Sequence, residues 1–200
     1  MPISEIMKLR NSEDEETQMA LLLAIHCSPI LKGSKAANIM TVTMREFYRI
    51  GDLLQETDIA YRFLKTKGEK GILYLYREKE LTDYLHLKEI QSFLKGYGYR
   101  SDNLNGMLNR LSDRIMMYNN GETAFPHEIG IFLEYPLPDV KGFLENHGEN
   151  FAYSGYWKVY HNVQETIRRF RQYDEEREHA IKAIAAGKTI RDIVVEANLR

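Results

Sequence analysis

The longest uninterrupted apolar run in this chain, Met19 to Ile25, is only seven residues long. A membrane-spanning helix needs about 20, so none is expected. Short apolar runs punctuated by Pro, Gly and capping residues instead predict many short elements around a shared core. At 23.4 kDa the chain is long enough to bury roughly 70% of its unfolded surface without metal or disulfide staples. Its single cysteine, Cys27, excludes an intrachain disulfide and a multi-cysteine metal site. The N-terminus is polar and acidic where a signal peptide starts basic, and together these features predict a cytoplasmic protein. With 27 basic against 29 acidic side chains, a generally basic nucleic-acid binder is ruled against.

Along the chain, Ser12 with Glu15 matches a capping box opening a helix that Pro29 should stop, and Thr43 with Glu46 matches a second, opening a helix to about Asp58. Strands are expected over 36–42, over 72–76 as a central strand apolar on both faces, over 128–134 between Pro126 and Pro136, and over 151–160. Helices are expected over 78–86, 88–97 and 102–117, from Pro138 to Gly148, and from Asn162 toward Gly187. The class is α+β or α/β: one domain over 1–179, with about four strands in a mixed sheet packed with six or seven helices. A helical appendage follows over 180–200, with Thr189 capping its last segment. It resembles the start of a helix-turn-helix without the recognition helix, so its predicted partner is a second copy of the chain.

Three boxes carry residue types beyond those a core needs. The first is His26-Cys27-Ser28-Pro29 with Lys32 and Lys35. The second is Phe125-Pro126-His127-Glu128-Ile129-Gly130, and the third is Gly155-Tyr156-Trp157-Lys158-Val159-Tyr160. His127 and Glu128 are the candidate general acid and base. Strand alternation would send them to opposite faces, and the structural alternative pairs Glu128 with Arg77, Arg110 or Arg114. Alternation also predicts Tyr156, Lys158 and Tyr160 as a row, a cation between two phenols, with Phe151, Tyr153, Trp157 and Val159 facing the core. Cys27 is the weaker nucleophile candidate, because a helix C-terminus and burial both oppose a thiolate. His26, Ser28, Lys32, Lys35 and Arg77 complete the predicted ligand-binding set. The six histidines show no metal-ligand spacing, no Walker or GxGxxG motif occurs, and no cofactor is specified.

The order HCSP, then Leu75-Tyr76-Arg77, then FPHEIGIFLEYPLPDVKGF, then GYWKVY resembles a bacterial family, domain-of-unknown-function family 3793, over roughly residues 12–175. The resemblance implies no activity, substrate or cofactor. Where that family usually has LGYP, this chain has Leu133-Glu134-Tyr135-Pro136. A glycine there would let a ligand or backbone approach closely, and Glu134 puts that contact in question. The expectation is a small anionic or aromatic metabolite bound in one cleft lined by all three boxes, with acid–base catalysis as an extension. The alternative is a non-enzymatic interaction or regulatory protein in which the boxes specify turns and register.

Overall fold

The computed structural model describes residues 3–66, 68–100 and 103–199. The architecture is α+β, with a three-stranded sheet, a two-stranded sheet and ten helices among the described residues. This corrects the expected single four-stranded mixed sheet with six or seven helices. The chain divides into two compact units, one formed by residues 1–64, 68–77 and 172–200, the other by 65–67 and 78–171.

In the first unit, α1 (Ile3–Arg10) and α2 (Glu15–Leu31) precede β1 (Ala37–Thr43), α3 (Met44–Leu53), β2 (Ala60–Lys65) and β3 (Lys70–Tyr76). The strand order is β1-β3-β2, so the strand apolar on both faces is the central one. β1 and β3 pair antiparallel from Ala37↔Tyr76 to Thr43↔Lys70. β2 was not anticipated. The Thr43–Glu46 capping box forms as expected and turns β1 directly into α3. The Ser12 box does not: Asp14 caps α2, accepting from the Glu16 and Thr17 amides, while Ser12 Oγ accepts from the Asp14 amide.

Pro29 does not end α2, which runs two residues further. The turn beyond is closed by the Lys32 amide donating to the Ser28 carbonyl at 2.9 Å and by Gly33 in the left-handed region. Arg77 then fastens this helix end. Its Nε and Nη2 donate to the Ile30 carbonyl at 3.2 and 3.1 Å, and its Nη1 pairs with Asp58 and reaches Asn198 Oδ1 at 3.2 Å. A cation at a helix C-terminus meets carbonyls that have no intrahelical donor, in the favourable field of the helix dipole. The same unit contains α10 (Ile190–Asn198), capped by Thr189 with Asp192, and most of α9 (Val163–Ala185). Ala180, Ile184, Ile190, Ile193 and Val194 pack in one cluster with Leu23, Ala24 and Cys27.

The second unit contains α4 (Glu78–Leu85), α5 (Lys88–Lys95), α6 (Leu104–Asn119), α7 (Ile129–Phe132), α8 (Leu137–Glu145), β4 (Tyr153–Ser154), β5 (Lys158–Val159) and the first turns of α9. Residue 102, the expected start of α6, lies outside the described residues. α6 buries Leu104, Leu108, Leu111 and Ile115 on the predicted stripe, leaving Arg110 and Arg114 to other contacts.

Because Arg77 is buried and ties the Ile30 carbonyl to Asp58 and Asn198, Arg77→Met is expected to cost about 2–3 kcal/mol in a urea titration. Asp58→Asn, at its half-exposed partner, should cost less than about 1 kcal/mol.

Candidate functional site

The segment 128–134, expected as a strand, is a tight helical turn. Its amides bond three residues back: Ile129 to Pro126, Gly130 to His127, Ile131 to Glu128, Glu134 to Ile131, at 2.9–3.1 Å. A short, wholly buried apolar run lacks the periodicity that separates strand from helix, and the flanking prolines suit either. The turn closes on Glu134 with φ 55°, a left-handed conformation that costs a side-chain-bearing residue about 1–2 kcal/mol. A glycine at this position of the LGYP pattern is therefore explained by the helix terminus itself, with no ligand contact required.

The turn separates the two candidates of the second box. Glu128 is 1% exposed. It pairs with Arg114, whose Nη2 lies 3.3 Å from its Oε2, and accepts from the Tyr99 hydroxyl at 3.1 Å. This is the structural pairing with an arginine, realised with Arg114. The interaction holds the Arg114 guanidinium above its ordinary value, while burial first and the Glu128 charge second push the Tyr99 phenol up. His127 turns the other way and stays exposed at a rim. Its ring lies 5.2 Å from Phe125 and 4.9 Å from Phe143 between centroids. Partial desolvation lowers its pKa, opposed by the Glu128 charge, so the imidazole is neutral at pH 7.

The third box is not one strand. β4 and β5 are a two-residue pair, Tyr153↔Val159 and Ser154↔Lys158, joined by a turn at 155–157. The expected row of Tyr156, Lys158 and Tyr160 is therefore broken. Tyr156 packs against Phe170, 5.3 Å between centroids. Tyr160 lies flat over Gly142, where any Cβ would come within 2.5 Å of the ring, and its hydroxyl donates to the Glu149 carbonyl at 3.0 Å. Of the predicted core set, Trp157 and Val159 are buried but Phe151 and Tyr153 are exposed. Lys158 is half-buried. Its Nζ donates to the Gly148 carbonyl at 2.6 Å and sits 4.7 Å above the Phe151 ring.

Asp139, in the first turn of α8, organises this hairpin. Its Oδ2 accepts from the Trp157 indole N–H at 2.8 Å, and its Oδ1 from the Tyr160 and His161 amides at 2.8 and 2.9 Å. Trp157 in turn stacks on Tyr135, 4.8 Å between centroids at 26°. The result is a cleft of about 290 Å³ whose walls include His127, Gly130, Tyr135, Phe143, Trp157 and Lys158. Burial pushes the Tyr135 phenol up to about 12, so it remains a neutral donor, directed to the Tyr156 carbonyl at 3.4 Å.

The cleft thus unites His127 of the second box with Lys158 of the third. The first box and Arg77 belong to the other unit, where most of their polar groups are committed. Lys35, 5% exposed, donates to Asn38 Oδ1 at 3.3 Å. Asn38 Nδ2 donates to the carbonyl of the exposed His26 at 2.6 Å. Ser28 is buried within α2, and Lys32 caps that helix. Cys27 is fully buried in the core, and burial pushes its thiol up to about 12 against the opposing pull of Asn38 and Lys35; it is a protonated packing group at neutral pH. Tyr135, Asp139 and Phe143 are the cleft residues that composition and spacing did not single out. The available signal was Asp139 as the one acid in a first turn begun by Pro-Leu-Pro. Among the described residues no group of three metal-ligating side chains occurs.

The chain matches the family model described as protein of unknown function (DUF3793) over residues 23–194 and belongs to that family. The match passes residue 175, where the sequence resemblance was expected to end, and takes in the Thr189 cap and the first turn of α10. No curated protein matches the chain, and no solved structure does. No helix among the described residues is long and apolar enough to cross a membrane.

Since Glu134 occupies a left-handed terminus, Glu134→Gly is expected to raise the stability by about 1 kcal/mol, read as an increased urea midpoint with an unchanged slope. An equal or lower midpoint would refute the backbone explanation.

Proposed function

We propose that this protein binds a small organic molecule in the cleft of the second unit. The observation that carries this reading is the cleft's composition. Ile129, Tyr135, Val140, Phe143 and Trp157 offer an almost wholly apolar and aromatic surface, with Lys158 and His127 as the polar groups free to orient a ligand. That pairing of an apolar body with few convergent polar groups is the usual chemistry of a small-molecule site. The buried polar groups behind it are already paired, Glu128 with Arg114 and Asp139 with three N–H donors. They fix the walls and leave the cleft-facing groups to act. His127, neutral at pH 7 and without a hydrogen-bond partner for its ring nitrogens among the described residues, is the group here suited to accept or relay a proton if the bound molecule reacts. The first box has a structural role within the first unit, where its polar groups close a helix end. A cytoplasmic setting is part of the proposal, since the free thiol of Cys27 suits a reducing compartment.

Trp157 is the only tryptophan, so its emission reports on the cleft wall directly. Titration with 1-anilinonaphthalene-8-sulfonate is expected to quench it saturably, at one dye per chain. Gly130→Val, which puts side-chain volume into the cleft, should weaken that binding at least tenfold while the far-ultraviolet circular dichroism stays unchanged. Quenching that survives this substitution, or none at all in the unsubstituted chain, would overturn the proposal.

A further inference from the structure

The polar groups around the cleft restrict what it can hold. Lys158 is half-buried, and no carboxylate among the described residues pairs with it; its one hydrogen bond goes to a neutral carbonyl. An ammonium carries three donors, so two remain. The Phe151 ring, 4.7 Å below Nζ, and the Gly148 carbonyl hold the charge in place without neutralising it. A partly desolvated cation with no counter-ion is costly, and the missing partner is an anion. Among the described residues nothing else in the cleft lining supplies a second positive charge at neutral pH. Among the described residues Asp139 is the only carboxylate in its lining, and both of its oxygens are occupied by N–H donors.

The walls specify the rest of the ligand. Two ring pairs border the space, His127 with Phe143 at 4.9 Å and Tyr135 with Trp157 at 4.8 Å. The Trp157 N–H is taken up by Asp139, so the indole offers a ligand its ring surface and no donor. Between the pairs Gly130 leaves bare backbone, where a Cβ would crowd Val140 and Tyr135 at 3.0 and 3.1 Å. Aromatic faces favour aromatic partners, offset or edge-on, over saturated ones of equal size.

We infer that the ligand is a planar aromatic monoanion, its ring between these walls and its single negative charge on Lys158. This rests on the binding reading above and names the ligand class for the same cleft. The test is calorimetric titration of the full chain at pH 7.5 with three probes: 2-naphthoate, the neutral 2-naphthamide, and the non-planar decahydro-2-naphthoate. The carboxylate is expected to bind at least tenfold more tightly than either of the others. Lys158→Met should remove its advantage over the amide while leaving amide binding in place, and Lys158→Arg should keep it. Equal binding of all three probes, or an advantage that persists in Lys158→Met, would overturn the inference and leave the binding site standing. Failure of every probe to bind would overturn the site as well.

Discussion

The second unit depends on one buried carboxylate. Asp139 is 2% exposed and would be strongly destabilising if its charge stood alone. Instead it accepts three N–H donors from three successive features of the chain: an indole, the amide that follows β5, and the next amide leading toward α9. Hydrogen bonds to an ionised group contribute about 1.5–3 kcal/mol each, enough to hold a hairpin of only two paired residues that could not stand by itself. The consequences propagate outward. The indole's orientation gives Tyr135 a face to stack on, and the register set at Tyr160 lays that ring on Gly142. That same register brings Lys158 to the Gly148 carbonyl. The cleft is what remains between these fixed walls.

Around it the polar groups divide into two kinds. Glu128, Arg114 and Tyr99 form a closed network whose members satisfy one another, as does Asp139 with its donors. Lys158 and His127 keep unused hydrogen-bonding capacity, and both line the cleft. The HCSP box belongs to the first kind. Its cysteine is core, and the carbonyls on either side of it are served by Asn38 and Arg77, so its polar character is explained by the need to close a helix that carries a proline two residues before its end.

Much of this was legible in the sequence where a local rule decides the outcome. The Thr43–Glu46 box, the leucine stripe of α6 and the central position of β3 follow from spacing alone. The misplaced elements were those set by tertiary contacts. Between Glu128 and Glu134 residues 129–133 are apolar throughout, so nothing in them distinguishes a strand from a buried turn. Residues 151–160 alternate well enough to pass for a strand, yet Gly155 and the pull of Asp139 on Trp157 fold them into a hairpin. The boxes contain His127 and Lys158, which both line the cleft, but the face each side chain takes depends on Asp139 and Arg114, which lie far from them in sequence. Asp139 itself gave only a weak signal, a single acid in a first helical turn.

The chain has one indole N–H, and its proton–nitrogen NMR resonance reads the central bond and the cleft together. With Asp139 holding Trp157, that resonance should be protected from solvent exchange and should move progressively as 2-naphthoate is added, with protection retained. A resonance that exchanges as freely as in the unfolded chain, or that stays in place up to the solubility limit of the probe, would contradict the account.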